Sequence, residues 1–225
     1  MSEGRKQKIS FFDINFSKGD INVSGFRAMS ATNIWVLASH NEGKIKELRD
    51  VLHPFGIGLT SARDAELDEP DETETTFDGN ARLKAEAACT ATGLPCLADD
   101  SGLSVDALGG DPGIYSARWA GEPRDFDLAM RRVHEALEKA GPSTRTARFV
   151  CSIALARPGQ DTKIYRGEVL GEIVWPPRGD GGFGYDPIFQ PDGETRTFGQ
   201  MQAVEKKMLS HRARAVEAMI KAELA

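Results

Sequence analysis

The longest uninterrupted apolar run in this 225-residue chain is five residues, Ile34-Trp35-Val36-Leu37-Ala38. A helix that crosses a bilayer needs roughly 20, so the run marks something shorter. Rich in strand formers and without alternation, it predicts a strand buried on both faces. The polar stretch Ser39-His40-Asn41-Glu42-Gly43-Lys44 follows, and Ile45, Leu48, Val51, Leu52 and Phe55 then recur at helical spacing until Gly56. A buried strand, a tight polar loop and a helix in succession commit the chain to an α/β architecture.

The remaining pattern extends that reading. Thr75 with Asp78 three residues later resembles a capping box opening a second helix, on which Phe77, Asn80 and Lys84 share a face. Leu94 to Ala98 is a second buried strand, ending at Asp99-Asp100-Ser101-Gly102. Phe126, Met130, Val133 and Leu137 form an amphipathic helix stopped by Gly141-Pro142. Arg148–Ala156 and Lys163–Val174 are β-branched segments separated by Pro158-Gly159-Gln160-Asp161, which predicts antiparallel strands. Ser210 caps a last helix with Val216, Met219, Ile220 and Leu224 on its buried side. The sum is α/β with a mixed sheet. Residues 1–28 are polar, with Phe11, Phe12, Phe16 and Phe26 scattered rather than periodic, and read as a poorly ordered extension before a domain at 29–225.

Charge and cysteine bound the partners. The chain holds 28 Lys and Arg against 34 Asp and Glu, a net −6, which speaks against wholesale binding to nucleic acid. The excess is local: Asp64, Glu66, Asp68, Glu69, Asp71, Glu72 and Glu74 put seven acids and no base into eleven residues, leaving the rest at +1. A small polyanion is therefore compatible with the chain. Cys89, Cys96 and Cys151 have no CxxC spacing and indicate neither a disulfide framework nor a zinc site. With no apolar h-region near the start, the expected location is the cytoplasm, away from membranes.

Several clusters carry possible chemistry. The Ser39–Lys44 loop opens a helix with Gly43-Lys44 but is no P-loop, because Ala38 stands where the first Gly belongs and Ile45 follows Lys44. Amides at a helix start plus an ammonium still make an anion site; an ordinary connection has the same pattern. Asp99 and Asp100 follow a buried strand, where ligands bind in α/β sheets, and with Glu72 they offer oxygen ligands to a hard cation; a solvated turn and a solvated charge run are the alternatives. Gly179–Pro187 has four glycines around Phe183 and Tyr185, a loop on which a ring can stack on a base or a turn whose aromatics fill the core. Lys206, His211 and Arg212 gather near the last helix start, where the dipole favours a neutral His211; a solvated basic face has the same pattern. His53 and His134 read as surface residues. There is no GxSxG and no Cys with a His partner in sequence context, so water attack assisted by a metal suits the inventory best.

Taken in order, Leu37-Ala38-Ser39-His40-Asn41-Glu42-Gly43-Lys44, Thr76-Phe77-Asp78-Gly79-Asn80-Ala81, Ala98-Asp99-Asp100-Ser101-Gly102-Leu103, Gly109–Arg118, Gly182-Phe183-Gly184-Tyr185-Asp186-Pro187 and Ser210-His211-Arg212 resemble the inosine/xanthosine triphosphate pyrophosphatase family. The resemblance runs from about Asn33 to the C-terminus. It implies a two-lobed fold around a central mixed sheet flanked by helices, with the nucleotide in the cleft between lobes, and a homodimer. It also implies Mg2+-dependent hydrolysis of deaminated purine nucleoside triphosphates (ITP, dITP, XTP) to the monophosphate and pyrophosphate, which cleanses the nucleotide pool.

Carried over by position, Ser39, His40, Asn41, Glu42, Gly43 and Lys44 would bind the triphosphate. Glu72 and Asp100 would hold the metal, with Asp100 also the proton acceptor that activates water. Ser101 would contact the substrate. Phe183, Gly184, Tyr185 and Asp186 would form the base pocket, with Phe183 stacking on the purine, and Lys206, His211 and Arg212 would close over base and phosphates. His40 departs from the commonest form of the loop, which often has Gly there. A related pyrophosphatase acting on modified pyrimidine or methylated nucleotides is the nearest alternative. An inert nucleotide-binding module is the more distant one, and Glu72, Asp100 and Lys44 together argue against it.

Overall fold

The computed structural model describes residues 33–141 and 144–224; the extension at 1–28 and the stop signal at Pro142 lie outside them. The predicted strand–loop–helix is present as β1 (Ile34–Leu37) and α1 (Glu42–Leu52), followed by β2 (Gly58–Ser61), α2 (Phe77–Thr92), β3 (Cys96–Val105) and α3 (Phe126–Ala140). The long hairpin β4 (Thr146–Ala156) and β5 (Lys163–Ile173) comes next, then β6 (Phe189–Pro191), α4 (Ala203–Leu209) and α5 (His211–Glu223). The strands form one mixed sheet in the order β2-β1-β3-β4-β5-β6. β1 is parallel to β2 and β3, and every later pairing is antiparallel.

Two lobes arise because the sheet is covered differently at its two ends. At the parallel end, Trp35, Leu37, Leu97, Ile153 and Leu155 pack under the apolar stripes of α1 (Ile45, Leu48, Val51, Leu52) and α5 (Ala215, Val216, Met219, Ile220). The opposite face, Val36, Cys96, Ala98 and Ala154, meets the small side chains Ala81, Ala85, Ala88 and Cys89 of α2, which let that helix lie close. Beyond this, Leu103, Val105, Ala147 and Phe149 build a second core with α3 and with Tyr185, Ile188, Phe189 and Phe198. β3 runs through both, so the residues between Ala98 and Leu103 lie at the junction.

That placement corrects the reading of Asp99–Gly102 as the end of a strand. β4 pairs with β3 along its whole length, from Cys96↔Ala156 to Val105↔Ala147, so the ladder carries the polar stretch as strand. β1, by contrast, leaves β3 after Leu37↔Leu97, and the sheet opens beside the two carboxylates. Gly102 is therefore a packing glycine: a Cβ there would collide with Ser116 Oγ and the Gly113 carbonyl. The cap of α2 is Thr76 rather than Thr75, its hydroxyl accepting from Gly79 N–H at 3.0 Å. α4, which carries Lys206, was not foreseen. The three cysteines are buried and free.

Candidate active site

Alternation along β3 sends Asp99 and Asp100 to opposite faces of the sheet, and each meets its own cations. Asp99 receives Lys44 Nζ at 2.9 and 2.8 Å from its two oxygens, with Arg212 at 3.5 Å. Lys44 arrives there because Asn41 caps α1, its side chain accepting from Lys44 N–H at 3.1 Å, while Ser39 Oγ accepts from Asn41 N–H at 3.2 Å. Arg212 arrives because Ser210 caps α5, accepting from Ala213 N–H at 3.1 Å. Two helix starts and two cations thus converge on one buried carboxylate. Burial would raise its pKa, but Lys44 and Arg212 outweigh burial and hold Asp99 well below the usual range.

On the other face, Lys84 of α2 reaches Glu72 at 2.7 Å and stands 4.0 Å from Asp100. Arg118 is 3.8 Å from Glu72. Asn80 donates to Asp100 Oδ2 at 3.2 Å, and Asp100 Oδ1 accepts from Ser101 N–H at 2.9 Å. Burial, with Glu72 and Asp99 adding to it, pushes the Asp100 carboxyl up to about 6 despite Lys84 and Asn80. Lys84 is itself raised: burial opposes its charge, but Asp100 and Glu72 outweigh it. Two carboxylates thus converge on the Lys84 ammonium, with Arg118 on the Glu72 side.

The glycine-rich loop completes the region. Asp186, buried, accepts from Phe183 N–H at 2.5 Å and is paired with Lys206. Gly182 has φ +79°, and a Cβ there would strike the Asp186 carboxylate, so the loop needs glycine at this position. Phe183 is 69% exposed and meets Phe126 in a T-shaped contact at 4.8 Å, an exposed ring at the rim. Tyr185 goes the other way, 2% exposed, its hydroxyl donating to the Ser116 carbonyl at 2.8 Å. Its ring belongs to the core, so within the predicted base pocket Tyr185 is an anchor of the loop. Gly184, at φ +71°, makes the reversal between the two rings.

His211 stacks on Phe149 at 5.0 Å. Burial, then Arg212 and Lys206, push its pKa down to about 3, so the imidazole is neutral, and its buried Nδ1 has no hydrogen-bond partner among the described residues. Of the loop residues, Glu42 faces Arg63 at 3.3 Å and His40 faces Glu69 at 3.8 Å, so the acidic segment borders the loop. His53 is exposed as read, whereas His134 is stacked on Trp175 at 4.3 Å.

Sequence reasoning offered Asp99 as an oxygen ligand for a cation, whereas the structure pairs it with Lys44 and Arg212; it gave no role to Lys84, Asn80 or Arg118. A signal existed for two of them: Asn80 and Lys84 share the buried side of an alanine-rich helix, where an amide and an ammonium need partners. Glu72 and Asp100 are the carboxylates here that could hold a metal; among the described residues no group of three or more His, Cys, Asp or Glu gathers at one point.

Comparison with known proteins matches residues 35–222 to the Ham1 family. A protein of Rhizobium meliloti (strain 1021), named dITP/XTP pyrophosphatase, is 55% identical over 80% of this chain and 91% of its own. One of Ruegeria pomeroyi with the same name is 51% identical over 83% and 93%. Among solved structures, a HAM1 protein from Coxiella burnetii superposes with TM-score 0.81 at 40% identity, covering 84% of this chain and 98% of that one.

Proposed function

The chain belongs to the Ham1 family, and from that premise we propose that it hydrolyses deaminated purine nucleoside triphosphates, ITP, dITP and XTP, to the monophosphate and pyrophosphate with Mg2+. Relatives about half identical over most of the chain are named dITP/XTP pyrophosphatases; the chain is an enzyme of this class, a hydrolase of nucleoside triphosphates. What carries the finer reading is the junction on β3: Asp99 with Lys44 and Arg212 on one face, Asp100 with Glu72 and Lys84 on the other.

In this reading Lys44, Arg212 and the amides of the Ser39–Lys44 loop bind the phosphates, and Asp99 holds the two cations in register. Glu72 and Asp100 would hold Mg2+: two carboxylates that converge on Lys84 are the oxygen donors such a hard cation takes. When bound, the ion supplies charge neutralisation on the phosphate oxygens and on the departing pyrophosphate. Asp100 accepts the proton of the water that attacks the α-phosphorus. Phe183 offers its exposed ring to the purine, and Asp186 with Lys206 fixes the loop that presents it. Groups that bond to a 6-keto, N1–H purine edge would be left unpaired by a 6-amino one, which discriminates against ATP, and neutral His211 closes over the substrate beside them. Ser101, next to Asp100 in β3, contacts substrate. We place the enzyme in the cytoplasm as a homodimer, with neither nucleic acid nor membrane as partner; light scattering reads the dimer directly. Among the described residues no helix is long and apolar enough to cross a membrane.

The assay is direct. With Mg2+, the purified protein releases pyrophosphate from ITP or XTP far faster than from ATP or GTP, and Asp100→Asn abolishes turnover while nucleotide still binds. Orthophosphate as first product would remove the α–β assignment. Preference for a modified pyrimidine in a substrate panel would move the substrate class.

A further inference from the structure

We propose that Asn80 is the positioning residue of this reaction, its single side-chain amide locking Asp100 and the segment that carries Glu72 into one unit. The inference rests on Asp100 being the base and on Glu72 lying beside it.

Asn80 is 1% exposed on a helix face whose neighbours are Phe77, Ala81, Ala85 and Ala88. An amide buried among such side chains is costly unless both its ends are bonded. Both are. Nδ2 donates to Asp100 Oδ2 at 3.2 Å, and Oδ1 accepts from the Glu74 backbone N–H at 3.1 Å. The orientation is determined, because the flipped amide would set its oxygen against a carboxylate and its NH2 against an N–H. With Ser101 N–H on Asp100 Oδ1 at 2.9 Å, both carboxylate oxygens are held and the side chain cannot rotate freely.

The second bond reaches further. Glu74 is two residues from Glu72, in the acidic segment that enters α2 through the Thr76 cap. A hydrogen bond to its backbone fixes where that segment passes β3, and so fixes the separation of the two carboxylates without touching either Glu72 oxygen. Lys84, one turn further along α2, then meets both carboxylates from the same helix. Asp or Ser would not serve at position 80: the first brings a third carboxylate and no donor, and the second is too short to span both partners.

The test compares Asn80→Asp, Asn80→Ala and Asp100→Asn as full-length proteins. Calorimetric titration with ITP in the absence of metal counts nucleotide-competent sites, so that kcat for pyrophosphate release with Mg2+ can be expressed per site. Both Asn80 variants should lose about 10- to 100-fold in per-site kcat, the range for losing a partner that orients a ligating group. KM and metal-free ITP affinity should stay within about threefold of wild type, since no phosphate or base contact is removed. The Mg2+ concentration for half-maximal rate should rise. A merely structural role would lower the number of competent sites and the melting temperature but not the rate per site. Should Asn80→Asp fail to fold, Asn80→Ala decides alone. Per-site kcat near wild type in a folded Asn80 variant, with Asp100→Asn inactive, overturns the inference and leaves the base assignment standing. Turnover retained in Asp100→Asn overturns the assignment, and the inference with it.

Discussion

Lys84 is the residue whose surroundings are most demanding: its side chain is 7% exposed, yet it faces Glu72 and Asp100 together. Breaking a buried pair by deleting one partner strands the other, a loss of about 3–5 kcal/mol. Lys84→Met keeps the length and apolar stem and removes the charge. Urea denaturation at neutral pH without divalent cation should show a loss in that range, and added Mg2+ should recover part of it by returning positive charge between the carboxylates. A variant as stable as wild type contradicts the ion-pair argument, and one indifferent to Mg2+ contradicts the proposed ion site. The same logic explains why the charge total misleads: the seven-acid segment contains Glu72, and the cations that answer it come from α2 and from Arg118.

Among the elements, β3 shows how one strand can hold both structure and chemistry. Its ends are buried in separate cores and its middle carries the two aspartates, so a change in the middle is felt by both lobes. Gly102→Ala puts a methyl group onto Ser116 Oγ and a backbone carbonyl, and overpacking of this kind costs about 1–3 kcal/mol. Gly93→Ala, at φ +66° with open space around it, meets only the left-handed backbone penalty, about 1–2 kcal/mol. A Gly102→Ala protein with the wild-type denaturant midpoint would remove the packing argument. The elements themselves were largely legible: the five-residue apolar run, the helical spacing of α1 and α3, and the β-branched hairpin are local signals, and each is where its pattern put it. The extent of β3 was not, because Asp-Asp-Ser-Gly looks like a turn until β4 is alongside it. The partners of Asp99, Asn80 and Lys84 escaped for a related reason: Asp100 joins Asn80 from another element 20 residues on, and pairing across 55 residues, as between Lys44 and Asp99, leaves no local pattern. Tyr185 and Phe183 are two residues apart with opposite fates, set by Gly184 and by what each ring finds on either side.

At the scale of the molecule, the last helix has to be secured, since its first turn delivers His211 and Arg212 to the site and its far end is also the end of the described chain. Glu223 does this. Its side chain is 6% exposed and pairs with Arg157 at 2.7 Å and Lys163 at 2.8 Å, and the Tyr165 hydroxyl also donates to it. Arg157 in turn lies over the Trp35 ring, so the clasp ties α5 to β1, to β5 and to the end of β4. Burial alone would raise the Glu223 pKa, but the hydrogen bonds from Lys163, Tyr165 and Arg157 outweigh burial and lower it from 4.5 to about 2. A carboxylate depressed on folding contributes its stability fully above the unfolded value, and that contribution drains away as pH falls through the folded one. Glu223→Gln should therefore melt lower than wild type at pH 7, by about 2–4 °C for each kcal/mol lost in a chain of this size. The gap should hold down to about pH 4.5, then narrow toward pH 2 as the wild-type carboxylate takes up its proton. Melting curves for both proteins across that window decide it. A gap that is constant over the window would mean that the glutamate acts by shape rather than charge, and a gap that opens only in acid would reverse the sign of the linkage.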